Sequence, residues 1–559
     1  MSNGTLGSIV LAALFATVAA AFQPTPALSS ELCGNLANLQ LPQTTITSAS
    51  IVPAGPFSQV SVGDPYAAEG TTSPNPTCSS NITSPQLPAF CRVTGGIAEP
   101  GAADPINFEV WMPLENWNGK LEAIGNHGFA GEIEYADMGP ELNKGYAVAT
   151  TDTGHAGSAT TWMQNRQQII NYGSLGVHEM AVKSKAVIQQ FYGKLPKYSY
   201  FNGCSTGGKE ALMAAQRYPD DFDGLNIGGS ANFAQIHNRI EYVWNGQVTF
   251  GNANTPINAA TAALVNTAAL AECDGLDGVL DGVIDNPLTC PFKPQSLLCK
   301  NGQNPSTCLT AAQVEAVDKV YEGPRNQITG AEIYPGLERG TELGWGANTA
   351  GPSIFSTATQ FFAFMVYNNP NWNYETFNFS SDVAFADKGF SFLIDAISPD
   401  LSAFQMRGGK ILQSHLWSSV VHPATRSIEY YDQVVMNNEH SNRQVINANT
   451  FHKTQDFYRL FMGPGGAGSK GPGSFDSMPY LERWVEQGIP PSSILASHFT
   501  NGVVDRTRPL CPYPAYAVYK GEGSTDGAAN FECHEPAEVP NYFVLNGPEM
   551  DDVWPPATR

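Results

Sequence analysis

Two stretches of the chain carry residue types at spacings that can do chemistry. The first is Gly203-Cys204-Ser205-Thr206-Gly207-Gly208, a G-x-S-x-G pattern. Glycines let a backbone turn sharply, so Ser205 Oγ can stand clear of its surroundings as a nucleophile for acyl transfer. The first N–H groups of a following helix would then point where an oxyanion forms. The second stretch is Cys273-Asp274-Gly275-Leu276-Asp277-Gly278-Val279-Leu280-Asp281-Gly282-Val283-Ile284-Asp285. Carboxylates recur at short intervals, separated by glycines that permit tight turns. Hard oxygen ligands converging from one short loop suit Ca²⁺. The spacing is not that of an EF-hand, and no Glu closes the loop.

The nucleophile pattern needs a strand before it and a helix after it. Residues 198–201 are short and aromatic, and read as a strand. Residues 210–218 are rich in Ala, Leu and Met without Gly or Pro, and read as a helix. Further strands are predicted at 107–111, 120–124, 146–151 and 225–230. Helices are predicted at 178–192, 427–436 and 478–487, and strands again at 410–412 and 457–461. Strands alternating with helices predict an α/β fold with a mostly parallel sheet covered on both faces. Gly125-Asn126-His127-Gly128-Phe129-Ala130-Gly131 follows the 120–124 strand, where an α/β hydrolase takes its second oxyanion donor. Between about 240 and 400 the alternation fails, which predicts a large inserted lid holding the Asp-Gly loop. Residues 22–100, rich in Pro, Ser and Thr, read as a loop-rich, disulfide-tied segment.

The chain has 559 residues, with 14% charged and 42% hydrophobic, so it is globular and larger than one ordinary core. A formal charge of -22 argues against nucleic acid or an anionic membrane as partner, and fits small or neutral substrates. Residues 9–21 form an apolar run ending in Ala19-Ala20-Ala21, which reads as a secretory signal, although no Lys or Arg precedes it. Ten cysteines agree with an oxidising compartment, and Asn81 and Asn378 head glycosylation triplets. The predicted organisation is a signal at 1–21, a hydrolase part at 22–240, a lid at 241–400 and a second hydrolase part at 401–559.

The segments at 203–224, 108–120, 151–155, 273–285, 334–340 and 506–514 resemble the tannase and feruloyl esterase family. The resemblance runs from about 40 to 535. It implies an α/β-hydrolase fold with a lid domain, secretion, and hydrolysis of hydroxycinnamoyl or galloyl esters. It also implies Ca²⁺ held by the carboxylates of Asp274, Asp277 and Asp281 with the backbone carbonyls of Val279 and Val283. The family works through a Ser-Asp-His triad, and a disulfide joins the cysteine before the serine to one after the histidine.

Here the pattern departs from the family. Cys204-Ser205 matches the first half. In His415-Leu416-Trp417-Ser418-Ser419, Ser419 occupies the triad Asp position, and Gly465-Gly466-Ala467-Gly468-Ser469-Lys470-Gly471-Pro472-Gly473 has neither the His nor the Cys. His127 stands where the family has glycine. A serine hydroxyl is a poor nucleophile without a base, and the base needs a carboxylate to fix its tautomer. His127 and His422 are candidate replacements, each set against a plain structural role; His155, His178 and His534 read as structural or surface residues. By spacing, Cys33–Cys91, Cys273–Cys290, Cys299–Cys308 and Cys511–Cys533 are natural pairs. That leaves Cys78 and Cys204, paired with each other or with Cys204 a buried free thiol. The reading is a serine carboxylic ester hydrolase with Ser205 as nucleophile; the alternative is a non-hydrolytic or binding-only relative.

Overall fold

The computed structural model describes residues 26–57, 86–157, 160–231, 233–249, 257–345, 354–439, 448–466, 469–536 and 539. The signal-like run, Asn81 and Cys78 lie outside them. Nine strands form the central sheet: β1 (Thr44–Val52), β2 (Phe90–Ile97), β3 (Ile106–Pro113), β4 (Lys120–Ile124), β5 (Ala147–Thr151), β6 (Tyr198–Ser205), β7 (Gly224–Ala231), β8 (Lys410–Ser418) and β9 (Tyr458–Gly466). Their spatial order is β1-β2-β3-β5-β4-β6-β7-β8-β9. From β5 to β9 every pairing is parallel, while β1, β2, β3 and β5 pair antiparallel. The sheet is therefore more mixed than the alternation suggested.

Burial follows strand position. β5 is buried at every residue and β8 at all but its first, as strands covered on both faces must be. β1 at the edge alternates between partly buried and exposed positions. The 22–100 segment is a correction to the sequence reading. It supplies β1 and β2, and the Cys33–Cys91 disulfide ties helix α1 (Pro26–Asn35) to β2. The β-branched residues of Thr44-Thr45-Ile46-Thr47-Ser48-Ala49-Ser50-Ile51-Val52 were the available signal.

Helix α2 (Tyr135–Asn143) precedes β5, α3 (Gly176–Tyr192) precedes β6, and α4 (Thr206–Arg217) follows it directly. Between β7 and β8 the chain leaves the sheet in a helical excursion. It includes α5 (Gln235–Thr249), α6 (Ala259–Cys273) and α7 (Ala311–Glu322). This excursion has its own apolar core around Val265, Val317 and Trp345. A second cluster joins its Ile240, Phe361 and Phe362 to Trp162 and Tyr172 of the sheet-side segment. The chain returns through β8, α8 (Thr425–Glu439), β9 and α9 (Met478–Gln487). The other three disulfides expected from spacing, Cys273–Cys290, Cys299–Cys308 and Cys511–Cys533, are present.

Candidate active site

Ser205 is the last residue of β6 and the residue before α4, with φ 53° and ψ -116°. A non-glycine residue in such backbone costs roughly 1–3 kcal/mol and persists only where its surroundings enforce it. Gly203 and Gly207 do the enforcing. A Cβ on Gly203 would stand 2.6 Å from the Gly207 carbonyl carbon, so the two limbs of the turn close only as glycines. The loop after β4 packs against this turn: a Cβ on Gly125 would lie 2.7 Å from Gly207 Cα. Gly207 N–H donates to Asn126 O at 2.7 Å, and Thr206 Oγ1 donates to Gly128 O. Asn126 is pinned in turn. Its N–H donates to Glu210 Oε2, and its side-chain amide donates to the Glu132 and Thr151 carbonyls. The first-turn amides of α4, which have no acceptor within the helix, thus stand beside the glycine loop as an oxyanion hole requires.

His422 meets the serine. Its Nε2 lies 3.2 Å from Ser205 Oγ, although the two residues are 217 apart in sequence. The loop carrying it leaves the C-terminal end of β8 and is held on several sides. Val421 O accepts from Asn238 Nδ2 at 2.9 Å and from the Tyr242 hydroxyl at 2.7 Å, both on α5. His422 N–H donates to Ser419 Oγ, and His422 O lies 3.0 Å from His415 Nε2. A carbonyl can only accept, so His415 is protonated on Nε2 and its Nδ1 accepts from Ser427 Oγ at 2.7 Å. His415 is therefore neutral, and burial holds it down to about 4.

Among the described residues no carboxylate supports His422. Its Nδ1 is buried without a hydrogen-bond partner among the described residues. Burial first, then the neighbouring His415 and the Arg239 guanidinium, push its pKa down to about 3. Arg239 is itself buried. It donates to Gln235 O one turn back, stacks over Phe129 at 4.7 Å and Phe361 at 5.4 Å, and has no carboxylate partner among the described residues. The structure thus brings Ser205 and His422 together as a pair. Ser419, at the expected Asp position, supports the His422 backbone and leaves its ring alone. His415, which pattern reading did not single out as functional, is the residue that fixes the loop.

His127 does not reach the serine in any recorded contact. It points to α2, where Nε2 lies 3.5 Å from Asp137 Oδ2. His155 Nε2–H donates to Phe129 O at 2.7 Å and the ring stacks on Trp162, while His178 pairs with Asp221 and stacks on Tyr218. Cys204 is disulfide-bonded, which removes the free-thiol alternative; its partner lies outside the described residues.

The Asp-Gly loop is built as turns around Asp274, whose carboxylate accepts from the amides of Asp281 and Gly282 at 3.0–3.1 Å. Asp277 accepts from Val279 N–H, and Asp281 pairs with Arg508 at 2.5 Å and Arg506 at 3.4 Å. Asp285 Oδ1 is buried without a partner; burial and the nearby Asp277 push that carboxyl up to about 8. No three of these carboxylates bring oxygens within 4.8 Å of one another among the described residues. A cavity of about 480 Å³ lies beside this loop, lined by Asp277, Asp285, Arg508, Trp417 and Tyr513 among others, and includes neither Ser205 nor His422.

With the geometry in hand, comparison with known proteins is specific. A family model described as tannase and feruloyl esterase matches residues 91–534. An uncharacterized esterase of Xanthomonas campestris pv. campestris is 38% identical over 553 residues, covering 91% of this chain and 92% of that protein. Feruloyl esterase B of Aspergillus niger is 29% identical over 470 residues, covering 79% of this chain and 86% of its own length. The crystal structure of feruloyl esterase B from Aspergillus oryzae superposes with a TM-score of 0.78 at 27% identity, covering 90% of this chain and 100% of that one. Tannin acyl hydrolase from Aspergillus niger, at 19% identity, shares the fold with a TM-score of 0.77.

Proposed function

Because the chain belongs to the tannase and feruloyl esterase family of carboxylic ester hydrolases, we propose that it is a secreted serine esterase for small aromatic esters, with Ser205 as nucleophile and His422 as its base. The 3.2 Å contact between Ser205 Oγ and His422 Nε2 carries this reading. Ser205 attacks the ester carbonyl while its proton passes to His422 Nε2. The oxyanion is met by the Thr206 amide at the start of α4 and by the glycine loop after β4, the Gly207 amide being held by Asn126 O. The leaving alcohol takes the proton back, and water repeats the cycle on the acyl-enzyme. Phe129, Trp162 and Tyr172, clustered on the glycine-loop side, support an aromatic acyl group as occupant.

Without a carboxylate at Nδ1, turnover is slow. Removing that carboxylate from a complete triad costs about 10⁴-fold. A fluorophosphonate probe tests the assignment. It should label Ser205 in the wild type, and neither Ser205→Ala nor His422→Ala should be labelled. Labelling that survives His422→Ala unchanged overturns the base, and no labelling of the wild type favours a non-hydrolytic or binding-only relative.

The Asp-Gly loop offers the donor types a hard divalent cation takes, although no three of its carboxylates converge among the described residues. Among the described residues Asp281 and Asp285 face the guanidinium groups of Arg506 and Arg508, and Asp285 Oδ1 is buried without a hydrogen-bond partner. Asp274, Asp277 and Asp281, with the Val279 and Val283 carbonyls, would hold Ca²⁺ there. The ion would supply structural charge neutralisation to the lid and no step of catalysis.

A further inference from the structure

A second metal-type cluster lies on the other side of the glycine loop. His127 comes from that loop, Glu134 caps the start of α2, and Asp137 lies in the first turn of α2. One ligand atom from each lies within 4.8 Å of the other two, and no other group of three or more His, Cys, Asp or Glu residues does this among the described residues. His127 Nε2 and Asp137 Oδ2 are 3.5 Å apart, beyond a good N–H···O bond. It is close to the ~3.3 Å that separates two ligands each about 2.0–2.1 Å from a tetrahedral ion. Glu134 is 8% exposed, and its Oε1 is buried with no hydrogen-bond partner. Leaving such an oxygen unsatisfied is costly, so it asks for a ligand. Glu132 lies close by and adds a third negative charge around one imidazole. Asp137 and His127 remain partly open to solvent, at 25% and 16%, which leaves a way in.

We propose that His127, Glu134 and Asp137 form a binding site for a first-row divalent cation such as Zn²⁺, distinct from the Asp-Gly loop. One imidazole nitrogen with two carboxylates is a donor set for a borderline cation, whereas the all-oxygen Asp-Gly loop suits a harder one. The fourth position is left to water. The ion would tie the glycine loop to the N-terminus of α2. His127 immediately precedes Gly128, whose carbonyl receives the Thr206 hydroxyl beside Ser205, so the tie would brace the oxyanion side of the active site.

Titration calorimetry of the full chain, stripped with chelator and saturated with Ca²⁺, with ZnCl₂ as titrant, tests this. One Zn²⁺ should bind with a Kd of micromolar or tighter. Glu134→Gln and His127→Ala should each weaken it at least tenfold, and Asp277→Asn in the lid loop should leave it unchanged. Asp137→Asn, at the exposed edge, gives the same reading if Glu134→Gln does not fold. In wild-type protein loaded with Co²⁺, a visible d–d band that is lost in His127→Ala supports an imidazole ligand. No saturable binding, binding indifferent to His127, Glu134 and Asp137, or binding lost in Asp277→Asn overturns the site.

Discussion

Acidifying the assay from pH 8 to pH 4 should leave the proposed base in its working form. A general base acts only when neutral. An ordinary imidazole, at about 6.5, is about 3% neutral at pH 5; one held at about 3 is about 99% neutral there. The cause is structural: His422 is buried, faces Arg239 and His415, and has no carboxylate to stabilise its charged form. The acid limb of kcat/KM should therefore fall near pH 3–4 and leave a plateau from about pH 4.5 to 7. The assay is hydrolysis of a chromogenic aromatic ester, with each point kept only where activity returns at pH 7. An acid limb centred at 6.5 would refute the reasoning, because it would place a carboxylate or open water beside Nδ1. Arg239→Gln sharpens the test, since removing the guanidinium should move the acid limb upward. Stability has its own sign. His155, His415 and His422 are held below 6.5, so the unfolded chain takes up protons first and their contribution is lost as pH falls from about 6.5 towards 3. Buried Asp152, Glu332 and Glu338, raised to about 7, 8 and 7, act oppositely: their contribution is full below the ordinary carboxyl range of about 4 and is lost as pH rises from there to the raised values.

Four further outcomes are expected. EDTA should lower the melting temperature and Ca²⁺ should restore it, read by differential scanning calorimetry; an unchanged Tm counts against the lid ion. Gly203→Ala should destabilise by about 1–3 kcal/mol in urea unfolding, because its Cβ would meet backbone at 2.6 Å and backbone cannot swing aside. Asp281→Ala should cost about 3–5 kcal/mol in the same experiment, since it leaves the buried Arg508 guanidinium without its closest carboxylate. Tyr242→Phe should lower kcat more than it raises KM, because losing one hydrogen bond to Val421 O, worth about 1 kcal/mol, loosens the His422 loop.

The elbow was legible because its requirements are local: glycines, a preceding β-rich run and a following helix former. Even so, the helix begins at Thr206, four residues before propensity placed it, because its glycine-rich first turn is fixed by packing on Gly125. Three of the four spaced disulfides, with separations of 9, 17 and 22 residues, were legible for the same reason of locality, while Cys33–Cys91 spans 58. The two strands of the N-terminal segment, β1 at the edge and β2 beside it, were not. Thr44–Val52 becomes a strand through its long antiparallel register with Phe90–Ile97, and its polar composition hides that pairing. The partner of Ser205 was least legible of all. His422 was one of two histidines open as a base, and nothing in its flanking residues distinguishes it. What selects it is the tertiary holding of Val421 and His422 by α5 and His415, through contacts that span up to 183 positions.

The proposed placement of the base on the loop after β8 has a geometric rationale in the sheet. β6, β7 and β8 are parallel neighbours, so their C-terminal ends open on one side, and Ser205 and the loop after β8 stand two strands apart. At about 4.8 Å per strand that is roughly 10 Å, a gap that a short loop and an imidazole together can span. A loop long enough to place a carboxylate near a histidine from the next strand end is thus long enough to present a histidine itself. What the move does not supply is a countercharge. The imidazolium formed during attack would sit beside Arg239 rather than a carboxylate, and in a buried site like charges repel more strongly than in water. The scaffold keeps the contact that begins acyl transfer and makes its charged intermediate costly. If His422 is the base, as proposed, a slow esterase that keeps working where acid silences ordinary histidine bases is the behaviour expected of it.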